Sequence, residues 1–177
     1  MVGNAIGSLV FLLFMAGLVP AAPAAPADPV VKDITGIARH PLAPGEKMAS
    51  VLIFYGQDCP ISNSYAPEIN RIAGTFTNFS FYIVQVDPEL TIEAAKEHAR
   101  QFALRPPVLL DPGHELVRRT AATVTPEAVV IGKDGAVVYR GRIDNLYVEP
   151  GKKRLRSRGR LKIHRMIHRG CPPCTCA

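Results

Sequence analysis

The sequence predicts an α/β domain built on a mixed central sheet with helices on both faces. Three observations lead there. Continuous apolar, β-prone runs stand at residues 51–55 and 79–86, and a stretch with helical spacing of apolar residues follows each of them. Farther on, an Asp-Gly pair separates two apolar runs, the signal of an antiparallel hairpin at the sheet's edge.

Val51 to Tyr55 (VLIFY) lacks polar alternation, as a strand buried on both faces does. Gly56-Gln57-Asp58-Cys59-Pro60 breaks it. Tyr65, Ile69, Ile72 and Phe76 then recur at spacings of four, three and four and mark one face of a helix. Phe79 to Val86 is the second strand. Thr91 to Ala103 reads as a helix: Thr91 can cap it, Glu93 places a negative charge in its first turn, and Ile92, Ala95, Ala99 and Phe102 form its apolar stripe. Val108 to Leu110 is a short strand, and Glu115 to Ala121 a short helix. Ala128 to Ile131 and Ala136 to Tyr139 flank the turn Gly132-Lys133-Asp134-Gly135, and Gly141 to Asp144 closes the domain. No internal repeat, Walker-type loop or dinucleotide fingerprint is present.

The 177 residues suffice for one domain of ordinary size, and the 47% apolar content supports a normal core. The formal net charge of +6 is unevenly placed. Nine of the 21 Lys and Arg, and none of the 15 Asp and Glu, lie from Lys152 onward; residues 1–151 therefore hold twelve basic against fifteen acidic side chains. The basic character belongs to the tail. Residues 152–177 carry no aromatic side chain to stack on bases, so nucleic acid is not an expected partner. At the other end, Ala5 to Val19 is an uncharged apolar run, followed by a stretch rich in Ala and Pro with small residues at Ala22-Pro23-Ala24 and Ala25-Pro26-Ala27. This pattern is read as a secretory signal or, uncleaved, as a membrane anchor through residues 5–19. The expected organisation is a leader at 1–27, a linker at 28–45, the domain at 46–150 and a basic, cysteine-containing tail at 151–177. Export sets the cysteines in an oxidising compartment.

Of the four cysteines, Cys59 stands alone in the body while Cys171, Cys174 and Cys176 crowd the end. Cys59 sits where a buried strand meets a helix. Unpaired N–H groups there favour an anion, and the thiolate is the reactive form of cysteine. Pro60 suits the first helical position, and Ser62 can bond the sulfur or cap the helix. The alternative is a buried, inert thiol.

The segment FYGQDCPISNSYAPE, Phe54 to Glu68, resembles the active-site stretch of thioredoxin-like proteins, in particular the bacterial exported redoxins that include alkyl-hydroperoxide-reductase-like and periplasmic thioredoxin-like members. Pro67, eight residues after Cys59, matches the proline that kinks the family's first helix. Val124-Thr125-Pro126-Glu127 before a strand matches its cis-proline loop. The resemblance covers about residues 40–150 and implies a thioredoxin-like fold. It also implies a redox centre in which Cys59 is the nucleophile, Ser62 and the backbone near Thr125 orient the sulfur, and Pro126 shapes the surface where a partner's disulfide docks. Protein or small-molecule thiols and disulfides are the implied partners; no cofactor or metal is implied.

The chain departs from the family in two places. Ser62 replaces the second cysteine of Cys-x-x-Cys, so internal resolution of a mixed disulfide is absent. Gly56 and Leu52 stand where peroxiredoxins carry Thr and Pro. Two alternatives stay open: a one-cysteine peroxidase acting on peroxide, and a non-catalytic binding module. Copper delivery is weaker, because a lone cysteine with distant histidines is a poor ligand set. Asp58 is expected to face solvent. His98 is expected on a helix face or in packing, Arg140 and Arg142 at an exposed edge, and His40 in a loop. The tail's Cys-Pro-Pro-Cys admits a zinc set with His164 and His168, an arm that resolves Cys59, or a divergent end replacing the family's C-terminal apolar helix; the last is favoured.

Overall fold

β3 (Ser50–Tyr55) is the central strand and is buried along its whole length. In the computed structural model, which describes residues 28–144, the elements before it are β1 (Val31–Lys32) and β2 (Ala38–Arg39). After it come α1 (Pro60–Ser64), α2 (Ala66–Thr75), β4 (Ser80–Gln85), α3 (Ile92–Gln101) and β5 (Val108–Leu110). α4 (Glu115–Thr120), β6 (Glu127–Ile131) and β7 (Val137–Gly141) complete the fold. The stretches expected as a leader at 1–27, as the end of the domain at 145–150 and as the tail with Cys171, Cys174 and Cys176 lie outside the described residues.

The five-stranded sheet runs β5-β4-β3-β6-β7, parallel from β5 to β3 and antiparallel from β3 to β7. It is the expected mixed sheet. Side chains alternate across it. Val51, Ile53 and Tyr55 pack with Ile83, Val130 and the α2 residues Ile69 and Ile72; Leu52 and Phe54 pack with Val84, Leu109, Val129 and Leu116 of α4. Helices therefore cover both faces, and two apolar layers form from one alternating register.

That register also gathers polar residues at one end of the sheet. Tyr55 lies beside Gln85, the last residue of β4, and Phe54 lies opposite Glu127, the first residue of β6. Gln85 and Glu127 are both buried. The carboxyl ends of parallel strands are where α/β folds place their sites.

Three local differences from the sequence expectations have physical causes. The first helix is two helices, because Pro67 cannot donate to the carbonyl of Asn63 and its ring crowds that turn. On α3 the Thr91 hydroxyl does cap, accepting from the Ala94 N–H at 3.2 Å, but Ile92 is 47% exposed; Ala95 and His98 take the buried positions. The segment 28–45, expected as a linker, carries the β1–β2 hairpin, and the Ile34 N–H donates to the Val108 carbonyl at 2.9 Å. Packed structure thus begins ahead of residue 46.

Buried Asp33 closes that hairpin. Its carboxylate accepts from the Thr35 N–H and hydroxyl, the Ile37 N–H and the Arg39 guanidinium. Burial alone pushes this acid up, but the hydrogen bonds from Thr35, Arg39 and the Ile37 N–H outweigh it, and the pKa falls from 3.8 to about 2. A depressed folded-state pKa means stability that is complete above pH 4 and lost as pH falls through about 2. The size is about 2 kcal/mol. In acid unfolding, the advantage of the wild type over Asp33→Asn is expected in full at pH 5, mostly lost by pH 2 and gone below it.

Candidate functional site

Cys59 is the residue on which the turn after β3 and the start of α1 converge. It caps α1 with extended backbone (φ −84°, ψ 109°), and its Sγ accepts the Ser62 N–H at 3.5 Å. The turn is closed by the Cys59 N–H donating to the Gly56 carbonyl at 3.2 Å. Ser62 is fully buried, and its Oγ accepts from the Gly56 N–H at 3.4 Å. Across the site, the Thr125–Pro126 peptide bond is cis, and the Thr125 carbonyl lies 3.9 Å from the sulfur. Glu127 holds this second loop, its buried carboxylate accepting the Thr123 N–H at 2.7 Å. The structure thus brings together all four residues singled out from the sequence: Cys59, Ser62, Thr125 and Pro126.

Burial pushes the Cys59 thiol up. Hydrogen bonds from the Ser62 hydroxyl and N–H, the Ile61 N–H and the Thr125 hydroxyl outweigh it, leaving the thiol below its ordinary range. The donors are individual groups. Two of them, the Ile61 and Ser62 N–H groups, are first-turn donors of α1, as the sequence led one to expect. Cys59 is a free, half-buried cysteine rather than one closed into the core, as a nucleophile must be.

Gly56 faces the same point. A Cβ there would lie 3.2 Å from both the Cys59 Cβ and the Thr125 Oγ1. A Thr at 56, the residue peroxiredoxins carry at this position, would press on Thr125 and Cys59, which would have to give by a few tenths of an ångström.

Beneath the turn lies a polar network. The Tyr55 hydroxyl donates to Asn63 Oδ1 at 3.0 Å, and His98 Nε2 lies 2.9 Å from the same oxygen. Asn63 Nδ2 donates to the Gln57 carbonyl at 3.0 Å, and His98 Nδ1 lies 3.3 Å from Gln85 Nε2. Burial pushes the His98 pKa down, against the neighbouring Asp58 charge and the Gln57 carbonyl. Burial also raises Tyr55, with the Cys59 charge adding to it. His98 does pack, against Tyr55 and Phe102, but it is also bonded into the site's support. Asn63, Tyr55, Gln85 and Glu127 were not singled out from the sequence. The available signal was a polar residue at the end of an apolar strand, as in FYIVQ and EAVVI, since such residues are buried only with partners.

Asp58 stands on the active-site turn, and the other candidates lie away from it. Asp58 is exposed. Arg140 donates to the Ala121 carbonyl at 2.8 Å, and His40 sits 3.1 Å from Asp28 in an exposed loop. Among the described residues no group of three His, Cys, Asp or Glu side chains is placed to hold a metal, and no helix is long and apolar enough to cross a membrane.

The AhpC/TSA family model matches residues 36–140, more than half of the chain and all of the elements around Cys59. The chain belongs to the AhpC/TSA family. Among curated relatives in this redoxin group, the thiol-disulfide oxidoreductases ResA of Bacillus thuringiensis subsp. konkukian and of Bacillus anthracis are each 28% identical over 87 residues, 49% of this chain. The chain spans about half the length of the curated relatives it matches. Two solved structures give the fold. One is a secreted Mycobacterium tuberculosis disulfide oxidoreductase homologous to Escherichia coli DsbE, with TM-score 0.54 and 19% identity over 63% of this chain and 81% of that one. The other is StoA from Bacillus subtilis, with TM-score 0.55 and 19% identity over 67% of this chain and 89% of that one. The redoxin domain has a thioredoxin-like fold, as the motif around Cys59 implies.

Proposed function

We propose that this AhpC/TSA-family protein is a thiol–disulfide oxidoreductase that works outside the cytoplasm with Cys59 as its one reacting cysteine. The observation that carries the reading is the setting of Cys59: a free, half-buried cysteine, met by several N–H and O–H donors, facing a cis-proline loop, with Ser62 in place of a second thiol. The Cys59 thiolate attacks one sulfur of a partner's disulfide. A Cys59–partner S–S bond forms, the partner's own S–S bond breaks, and its second sulfur leaves as a thiolate that takes a proton from water. An external thiol then attacks the mixed disulfide and releases Cys59. Ser62 and Thr125 orient the sulfur. Pro126 shapes the docking surface, and Ile61 on α1 and Val124 in the cis-proline loop expose apolar side chains. The apolar run Ala5 to Val19 with the small-residue stretch after it, read as an export signal, and a structural neighbour described as secreted support an extracytoplasmic site of action.

The pH dependence of Cys59 alkylation tests the premise. In the full chain, with Cys59 followed by peptide mapping to separate it from the tail thiols, the half-point of reactivity is expected below the ~8.5 of a free thiol. Reaction with excess oxidised glutathione is expected to yield one mixed disulfide at Cys59. A half-point at or above 8.5 with no mixed disulfide makes the chain a binding module instead. Stoichiometric sulfenic acid from low peroxide, without disulfide exchange, makes it a peroxidase; the crowding at Gly56 argues against that result.

A further inference from the structure

We propose that Asn63 is the positioning residue of the Cys59 centre, its carboxamide fastening the active-site turn to the sheet and to α3. This rests on Cys59 being the reacting group, as argued above. The carboxamide makes three hydrogen bonds, and their partners leave it one orientation. The Gln57 carbonyl can only accept, so it selects Nδ2. Oδ1 then faces the Tyr55 hydroxyl and His98 Nε2, which must both donate. His98 therefore carries its proton on Nε2, and its Nδ1 accepts from Gln85 Nε2. Turned over, the carboxamide would set Oδ1 against the Gln57 carbonyl, acceptor against acceptor.

The thiol needs this support because its donors sit on a weak element. The Ile61 and Ser62 N–H groups belong to α1, whose five residues are too few to hold a helix by their own hydrogen bonds. Asn63 is on that helix. One end of its side chain grips the carbonyl two residues before Cys59. The other end is held by Tyr55 of β3 and by His98, which Gln85 of β4 holds in turn. The sheet thereby fixes the distance between Sγ and its donors. Hydrogen bonds weaken steeply with misalignment, so a loosened turn gives a weaker hold on the thiolate. The charged neighbour is Asp58 on the turn itself. Removing the Asn63 carboxamide leaves that charge in place, so a change in the thiol reports the geometry of its donors.

The test is the alkylation profile of Cys59 in full-length Asn63→Ala, Tyr55→Phe and the double variant, each checked for folding by its melting transition. Asn63→Ala is expected to move the half-point up by about one pH unit, which cuts the thiolate fraction at pH 7 by about tenfold. Tyr55→Phe removes one bond to Oδ1 and nothing else polar, and is expected to move it the same way by less. The double variant is expected to match Asn63→Ala, because Tyr55 acts through Asn63. Should Asn63→Ala fail to fold, Tyr55→Phe decides by itself. A folded Asn63→Ala or Tyr55→Phe with the wild-type profile, or additive shifts in the double variant, overturns the proposal. Alkylation needs no disulfide partner, so the two readings fail separately. An ordinary wild-type half-point overturns the function proposed above and this role with it; a lowered wild-type half-point that Asn63→Ala leaves in place overturns only this role.

Discussion

Cys59→Ser is expected to reduce disulfide exchange to the uncatalysed background, a loss on the order of a thousandfold or more, while the protein stays folded. The two halves of this expectation have different origins. The serine hydroxyl stays protonated at neutral pH, and among the described residues no carboxylate or imidazole is hydrogen-bonded to the Cys59 side chain to take its proton; the donors around the sulfur stabilise an anion that a hydroxyl does not form there. Stability is a separate matter. Cys59 is half-buried, and a serine Oγ at the cap of α1 can still accept the Ser62 N–H. The change in stability is therefore expected within about 1 kcal/mol. The measurement pairs a mixed-disulfide assay by intact mass with a thermal melt. Exchange at the wild-type rate in Cys59→Ser with the tail thiols left in place would move the chemistry to Cys171, Cys174 or Cys176.

How much of this was legible in the sequence follows from the kind of signal each feature leaves. VLIFY and FSFYIVQV are long apolar runs, and nothing in their neighbourhood competes with a buried strand. The Asp-Gly turn is equally local: Gly135 takes φ +77°, which a side chain would resist, and the hairpin forms where expected. Cys59, Pro67 and Pro126 were legible because their order and spacing resemble a known motif, and the cis bond before Pro126 sits where that resemblance places it. The polar network was not. Asn63, Gln85 and His98 lie on three different elements, and only the parallel pairing of β3 with β4 sets Gln85 beside Tyr55 and above α3. No periodicity carries that information. The hairpin at 31–39 was missed for a related reason. Two-residue strands have no pattern, and what holds them is the buried carboxylate of Asp33, a residue type that composition alone assigns to the surface.

Ser62→Cys is expected to reverse the kinetic character of the site. In the wild type a mixed disulfide on Cys59 waits for an external thiol, because Ser62 fills the place from which a second sulfur would attack. A thiol at position 62 lies three residues along the same helix, next to the sulfur it would attack. Its attack on Cys59 Sγ forms an internal disulfide and expels the partner as a thiolate, which takes a proton from water. Even a loosely held internal group acts at an effective concentration in the mM range, so against micromolar external thiol the release is expected to speed up by about a thousandfold. The burial of Ser62 does not oppose this, since cysteine is among the residues best suited to a buried site. The lost bond from the Gly56 N–H costs about 1 kcal/mol of stability, which a thermal melt would register. Quenched mass analysis follows the two adducts over time. A mixed disulfide that vanishes as the internal disulfide appears means the fold still holds the geometry of a two-cysteine enzyme, with residue 62 alone setting how long partners are retained. A mixed disulfide as long-lived as in the wild type means that α1 no longer presents position 62 to the sulfur. Retention would then be a property of the whole site, of which the serine is only one part.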